Sequence, residues 1–495
     1  MKREGSIGSD DRKSQRQRKA LRWALLGLLG VSVLWLIASR ISPEPSYRGI
    51  TVTHWIDLCP RPTNEVVNAF GTRAVPYLAT AMRGTGSRFY KIRFAVWQKL
   101  PSFLQQRMPM SDPASFARRR DNAMGWLIEL GSDANEAIPE LIDIALHDPE
   151  TFTRYKAITV LGCIGQNSPE ALEALVALLK DTNIFIQGNA IAAIGNIGPG
   201  AKPAVNFLLD FATVSPAIPY NSLNALGNIG PAAQEAVPRI VDALKTPAKA
   251  NALHALGKIG SGSAAAVPPL LEILNDTNEY FQILALDVVR QIGPPARAAL
   301  PQLQILKTSR ASIKRILVAV AIGNIEGNPE SALPVLLTEL KRPSFDSWQL
   351  QVRSFTRPFE FASYGILAVD TAAWFLGDIG PPAKEALPRL KQMRDSGEDW
   401  HRLVAARSIW KIEQQPDEVL PLMEQLLQRR RDFQDNFVFN LMAQTLTEMG
   451  PAARPLVPSL ARFVQVKTNS WSERKALLTV LQQLEPETAK KVAMQ

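Results

Sequence analysis

The sequence predicts an all-α fold: a right-handed α-solenoid (α-α superhelix) of about ten short helical repeats, preceded by one transmembrane helix. Three observations carry this. A phrase L-G-x-I-G recurs along the chain, a proline keeps a fixed distance from it, and one uncharged apolar run stands near the N-terminus.

The phrase occurs as Leu161–Gly165, Ile194–Gly198, Leu226–Gly230, Leu256–Gly260 and Leu376–Gly380, with degenerate copies ending at Gly131, Gly293, Glu326, Glu413 and Gly450. Successive last positions from Gly131 to Gly450 lie 34, 33, 32, 30, 33, 33, 54, 33 and 37 residues apart. Proline stands eight residues after the last position in eight units, at Pro139, Pro238, Pro268, Pro301, Pro334, Pro388, Pro421 and Pro458. A fixed period of this length marks units that cannot bury an apolar face alone and do so by stacking.

Within one unit, residues 231–245 read as a first helix whose main run begins at Pro238, where a missing N–H costs nothing. Thr246-Pro247 reverses the chain. Residues 250–260 form a second helix with Leu253, Leu256 and Ile259 at helical spacing, and its glycines permit close packing and a positive-φ stop.

The unit G-P-x-A-x-x-A-V-P-x-L…A-L-G-x-I-G resembles HEAT repeats, in particular the PBS-lyase HEAT-like variety, over roughly 121–485 and more loosely at Phe70–Pro76. With its apolar N-terminal run and the lead Tyr47-x-Gly49…Trp55, the layout is similar to membrane-anchored bacterial HEAT-repeat proteins. The resemblance implies protein–protein scaffolding. It divides the chain into a basic tail (1–22), an anchor (23–39), a Pro-rich spacer (40–48), irregular lead repeats (49–120), regular HEAT-like repeats (121–340), an insertion (341–364) and C-terminal repeats (365–495).

The run between Arg22 and Arg40 is 17 uncharged residues with Trp23 and Trp35 towards its ends, at the short limit for a bilayer span. Leu36-Ile37-Ala38 is a poor cleavage site, which favours an uncleaved anchor. Eight basic residues precede the run, and the positive-inside rule then expects a single-pass membrane protein with a cytoplasmic N-terminus and a periplasmic or otherwise extracytoplasmic solenoid. Of the net charge of +10, the first 22 residues carry +5, so the rest is too dilute for a nucleic-acid footprint. The spacer SPEPSYR (42–48) reads as a stiff extended link.

Cys59 and Cys163, separated by several hairpins, are expected to be buried free thiols. No catalytic, cofactor or metal residues are expected. The four histidines, His54, His147, His254 and His401, are scattered and none is followed by Glu, so the His-Glu pairs of the HEAT-like deoxyhypusine hydroxylases are missing. Phosphate-loop, nucleophile-elbow and zincin motifs are absent too.

Counting back from each last position exposes two polar registers. Eleven back stand Arg120, Arg154, Lys249, Arg315 and Arg402; seventeen back stand Asp148, Asp181 and Asp276. These are expected to pair across units, with the Asp capping the second helix. Nine, six and two back stand Asn189, Asn221 and Asn251, then Asn224 and His254, then Asn196, Asn228 and Lys258, all on one face of the second helices. By resemblance, second helices line the concave surface. The stripe reads either as a surface for an extended peptide or as an amide ladder serving neighbouring backbone.

The insertion holds Trp348, Phe355 and Phe359 among other aromatics, as a partner-contacting loop or as a locally buried irregular repeat. The expected function is a membrane-tethered, non-enzymatic scaffold or adaptor for a protein partner, without nucleic acid or metal. The alternative is a bilin-lyase-like or other small-molecule enzyme that has kept the repeat.

Overall fold

In the computed structural model, second helices of successive repeats stack into one layer and first helices into another. The structure describes residues 44–58, 64–83, 96, 97, 99, 101, 113–212, 218–342, 368–428, 436–465 and 471–493. The chain divides into two compact units, 1–52 and 53–495.

Of the first unit, residues 44–52 are described. They form an antiparallel hairpin, β1 (Ser46–Tyr47) with β2 (Ile50–Thr51), in register Ser46–Thr51 and Tyr47–Ile50. Both turn residues have positive φ, Arg48 at 52° and Gly49 at 75°, the combination a tight two-residue hairpin requires. This corrects the expected stiff link, because from Ser46 onward the chain folds back on itself.

The lead of the array comprises α1 (Val52–Leu58), α2 (Asn64–Phe70), α3 (Val75–Met82) and α4 (Pro113–Leu130). Regular hairpins follow as first and second helices: α5 (Ile138–His147) and α6 (Thr151–Ile164), α7 (Pro169–Leu178) and α8 (Ile184–Ile197), α9 (Val205–Ala212) and α10 (Ile218–Ile229). Next come α11 (Val237–Ala243) and α12 (Lys249–Ile259), α13 (Val267–Leu274) and α14 (Glu279–Ile292), α15 (Leu300–Leu306) and α16 (Ser312–Glu326). After α17 (Leu333–Lys341) the pattern resumes with α18 (Ala368–Ile379), α19 (Leu387–Asp395), α20 (Asp399–Glu413), α21 (Leu420–Gln428), α22 (Asn436–Met449), α23 (Val457–Gln465), α24 (Trp471–Leu484) and α25 (Pro486–Ala493).

The sequence phrase explains this geometry position by position. In L-G-x-I-G the leucine is core: Leu161, Ile194, Leu226, Leu256 and Leu376 are all fully buried, each adding roughly 1.5–3 kcal/mol. The first glycine lets two helices touch. A Cβ on Gly162 would lie 2.7 Å from Ala193 Cα, one on Gly195 2.8 Å from Ala225 Cα, and one on Gly377 2.8 Å from Ser408 Cα. The last glycine ends the helix with positive φ at Gly198, Gly230, Gly260 and Gly380, 67° at Gly260 for instance, whereas Gly165 has φ −83°; positive φ is a conformation other residues adopt at a cost.

Between that glycine and the proline-led helix runs a 3-10 segment such as Gly230–Ala236, with Ala233 and Ala236 buried beneath it. Pro238 then sits in the first turn of α11, as its spacing implies. The final helix α25 packs against α2. Val66 and Val67 of α2 and Ala489 and Val492 of α25 are buried.

The expectation of a single-pass membrane protein with an extracytoplasmic solenoid is corrected here: among the described residues no helix is long and apolar enough to cross a membrane. These helices carry an apolar stripe toward their neighbours and charge elsewhere, a pattern that suits packing in water. The run 23–39 lies outside the described residues. The insertion 341–364 with Trp348, Phe355 and Phe359 also lies outside them, apart from Lys341 and Arg342. Cys163 is a free thiol but half-buried rather than buried, because it occupies the polar x position of the phrase; Cys59 lies outside the described residues.

The glycine contact yields a paired test. Gly195→Ala is expected to destabilise by about 1–3 kcal/mol through overpacking, against the ~1 kcal/mol that alanine normally gains in a helix. On the same helix, Gly188→Ala meets nothing nearer than Asn221 Nδ2 at 3.4 Å and is expected to be neutral or stabilising. Urea midpoints of the two variants, compared at equal slope, decide; equal shifts would refute the close-approach account.

Candidate functional site

Two ladders run along the second helices. The basic residues eleven back from each unit end reach the following unit. Arg120 Nη1 donates to Asp148 Oδ2 at 2.8 Å, Arg154 donates to Asp181, and Lys249 Nζ lies 3.7 Å from Asp276. In the later repeats Arg315 pairs with Glu339 at 2.7 Å, and Arg402 donates to Gln425 at 2.8 Å.

The aspartates do not cap the helices themselves. Asp181 and Asp276 accept from the backbone N–H of Asn183 and Asn278 two residues on. Those asparagines are the N-caps, accepting from Phe185 N at 2.9 Å and Tyr280 N at 3.0 Å. Gln187 and Gln282 then donate to the Asp181 and Asp276 carbonyls. A repeated D-x-N-x-x-x-Q signal was thus present in the sequence and had been read only at its first residue. The ladder is structural.

The second ladder is the stripe. Lys258 Nζ donates to Asn228 Oδ1 at 2.9 Å, and Asn251 Nδ2 donates to Asn224 Oδ1 at 3.1 Å, each bond crossing between α10 and α12. Asn196, Asn221, Asn224 and Asn228 are exposed; Asn251, His254 and Lys258 are half-buried. Asn189 turns back to its own helix, donating to Phe185 O at 2.6 Å.

Four of these positions, Asn224, Asn228, His254 and Lys258, come together at one place. Leu223, Asn224, Gly227, Asn228, His254, Ala255 and Lys258 line a cavity of about 250 Å³ between α10 and α12. Gly227 forms part of its floor, since a Cβ there would lie 3.3 Å from Lys258 Cδ. Asn189, Asn196, Asn221 and Asn251 lie along the same layer outside that lining.

Sequence reasoning missed an apolar patch in the same layer. Phe152 and Tyr155 at the start of α6, and Ile184 and Phe185 at the start of α8, are exposed by 57%, 39%, 49% and 75%. Phe152 and Tyr155 stack with centroids 6.1 Å apart, and Lys156 Nζ sits 4.3 Å from the Phe152 ring centre. The signal was available in part: thirteen residues back from the unit ends Gly165, Gly198, Gly293 and Glu413 stand Phe152, Phe185, Tyr280 and Trp400.

The C-terminal repeats carry charge instead of amides. Arg407 stacks on Trp374 at 3.7 Å and donates to Asp378 at 2.9 Å, while Lys411 reaches Asp378 at 2.9 Å. His401 Nδ1 donates to the buried Asp370 at 2.7 Å. Among the described residues no group of three or more His, Cys, Asp or Glu could hold a metal ion.

With this geometry in hand, the repeats over two stretches of the chain are of the HEAT type. Residues 138–218 match the family model of HEAT repeats and residues 248–276 that of the PBS lyase HEAT-like repeat. No curated protein sequence matches the chain. Among solved structures, the chain is similar to the complex of CpcE and CpcF of phycocyanin lyase from Nostoc sp. PCC7120, at 18% identity over 51% of this chain and 92% of that one, TM-score 0.34. It is similar to importin beta at 14% identity over 88% of this chain and 63% of that one, TM-score 0.38. The karyopherin Kap121p matches at 12% identity over 90% and 55%, TM-score 0.40. These likenesses concern the fold alone.

The two half-buried histidines titrate in opposite directions. Burial, and after it the Lys258 charge, lowers the pKa of His254 to about 4; the hydrogen bond to Asp370, with the charges of Asp370 and Glu398 behind it, raises that of His401. The unfolded chain binds more protons at His254 between about 4 and the ordinary 6.5, so this contribution is whole above pH 6.5 and lost as pH falls toward 4. For His401 the contribution is whole below the ordinary 6.5 and lost as pH rises through the raised value. Melting temperatures from pH 4 to 8.5 are expected to lose part of the acid decline in His254→Gln and part of the alkaline decline in His401→Gln. Unchanged profiles in both would contradict the assignment.

Proposed function

We propose that the chain is a non-enzymatic scaffold that binds an extended segment of a protein partner along the second helices α6 to α12. The observation that carries this reading is the exposed Phe152, Tyr155, Ile184 and Phe185 patch, in one helix layer with the amide stripe. Large apolar side chains clustered on a polar surface mark interaction sites rather than chance exposure. Beside them, the asparagines offer amides at repeat spacing, suited to the backbone of an extended chain. Stacked helices lie roughly 8–10 Å apart, and an extended chain rises about 3.3 Å per residue. One repeat would therefore accompany about three residues of the bound segment.

The catalytic alternative has less support. The cavity between α10 and α12 presents His254 and Lys258 among amides and apolar groups, with no carboxylate or nucleophile converging on it. Its volume of about 250 Å³ also falls below the ~300–1,000 Å³ of small-molecule sites.

The test uses a displayed library of unstructured peptides selected on the full chain. Selected peptides are expected to lose at least about tenfold in affinity to the Phe152→Ser/Phe185→Ser double variant and to the Asn221→Ala/Asn251→Ala double variant. Substitutions at the exposed Phe152, Phe185 and Asn221 change stability by only about ±0.5 kcal/mol, and the half-buried Asn251 gives up one bond to Asn224 worth about 0.5–1.5 kcal/mol, so circular dichroism melts should stay near those of the parent. Peptides that bind both variants as tightly as the parent would remove the reading.

A further inference from the structure

Arg118, Arg119 and Arg120 are consecutive in sequence, and the fold engages only two of them. Arg120 donates to Asp148 at 2.8 Å and to Glu150 at 3.1 Å. Arg119 lies 3.1 Å from Asp57 of α1 and donates to the Thr53 carbonyl at 3.2 Å. Arg118 is exposed on α4, and among the described residues nothing accepts a hydrogen bond from it.

The register gives this arginine its neighbours. Thirteen residues back from the unit ends Gly131, Gly165 and Gly198 stand Arg118, Phe152 and Phe185. The adjacent second helices α4, α6 and α8 therefore carry one basic and two aromatic side chains in a single row. Thirteen, nine, six and two back are separated by four, three and four residues, so the row lies on the helix face of the amide stripe.

The other charges of these second helices are answered within the fold. Lys156 pairs with Asp121 at 2.6 Å and ties α6 to α4, while Arg154 pairs with Asp181 in the turn before α8. Glu150 is turned to Arg120 and accepts from the Thr153 hydroxyl at 2.9 Å. Phe152 is fixed as well, parallel to Tyr155 at 6.1 Å and with Lys156 Nζ 4.3 Å from its ring centre. Lys180, exposed in the turn before α8, is a second cation with no acceptor among the described residues. The unanswered charge beside the apolar patch is thus positive.

This narrows what the bound segment carries. A basic segment would be repelled by Arg118, and a wholly apolar one would strip water from the guanidinium without replacing it. A carboxylate fits the guanidinium fork with two parallel charge-assisted bonds, while apolar side chains of the same segment cover the rings. Such charge matching selects partners and fixes register more than it adds affinity.

We propose that Arg118 sets the register of the bound segment by pairing with an Asp or Glu of the partner. The proposal rests on the scaffold reading and names the chemistry that its partner carries. Helices roughly 8–10 Å apart and a rise of about 3.3 Å per residue place the acidic residue about three positions from the apolar residue at Phe152 and about six from the one at Phe185.

The experiment selects unstructured peptides on the full chain from a displayed library. One library position is Glu, Gln or Lys, and two apolar positions lie at varied spacing on either side of it. Selected peptides, synthesised with blocked ends, are then measured by fluorescence anisotropy. They are expected to hold Glu about three residues from the nearer apolar position and to bind about two- to fivefold better than their Gln counterparts. That preference should vanish in Arg118→Ala, turn to Lys in Arg118→Glu, and fade in 1 M salt, where the Debye length is about 3 Å. Both variants change an exposed side chain without a bond, and circular dichroism melts check that they fold.

Equal affinity for Glu and Gln overturns the proposal, as does a Glu preference that survives in Arg118→Ala. So does binding of the parent to equimolar phosphatidylglycerol and phosphatidylcholine vesicles that the Arg118→Ala/Phe152→Ser variant loses, which would assign the row to an anionic membrane surface. The two readings separate as well. Peptides that need Phe152 and Phe185 but ignore Glu remove the register and leave the scaffold; a library from which nothing is enriched removes both.

Discussion

The contact on which the array depends is the approach of one second helix to the next at a glycine. At Gly162, Gly195 and Gly377 the neighbouring helix presents an alanine or serine Cα where a side chain would otherwise stand. Dispersion between backbones at this range is individually weak, but it recurs at Gly227, where a Cβ would lie 3.1 Å from Ala255 Cα, and is felt at the level of one methyl group. The same closeness lets lysines in the x position of the phrase reach back to the polar side chain at the x position of the preceding repeat. Lys258 reaching Asn228 and Lys411 reaching Asp378 are two instances in different halves of the chain. Packing and surface chemistry are thus set by adjacent residues, one facing the neighbour and one facing outward.

Much of the fold was legible because its cause is local and repeated. Gly260 ends a helix and Pro238 begins one for reasons contained in their own backbones, and a period of about 33 residues multiplies a weak signal until it is unambiguous. What escaped had causes outside the repeat. The hairpin at Ser46–Thr51 depends on two positive φ values at Arg48 and Gly49, and an Arg-Gly turn is a far weaker cue than Asn-Gly. The 23–39 run was read by hydropathy alone, with a length at the margin of the criterion.

The candidate site was legible in part and for an instructive reason. Register counting put the asparagines in one helix layer but could not say which atoms were already engaged. Asn189 turns out to serve its own helix at Phe185 O, while Asn224 and Asn228 give up only their oxygens. The exposed patch escaped because apolar residues at helical spacing read as core, and Phe185 differs from a core phenylalanine only in where its repeat places it. A polar register seen in sequence is a list of positions; hydrogen bonds turn it into an inventory of donors and acceptors.

The packing of α25 against α2 changes the character of the array in another way. A linear stack has two terminal units, each with a single neighbour, and such units fray first because they lose least by melting. Here the terminal helices share a boundary, so the irregular lead gains a second neighbour as an internal repeat does. In thermodynamic terms the contact couples the fraying of two helices far apart in sequence: neither melts without breaking an interface that the other also uses.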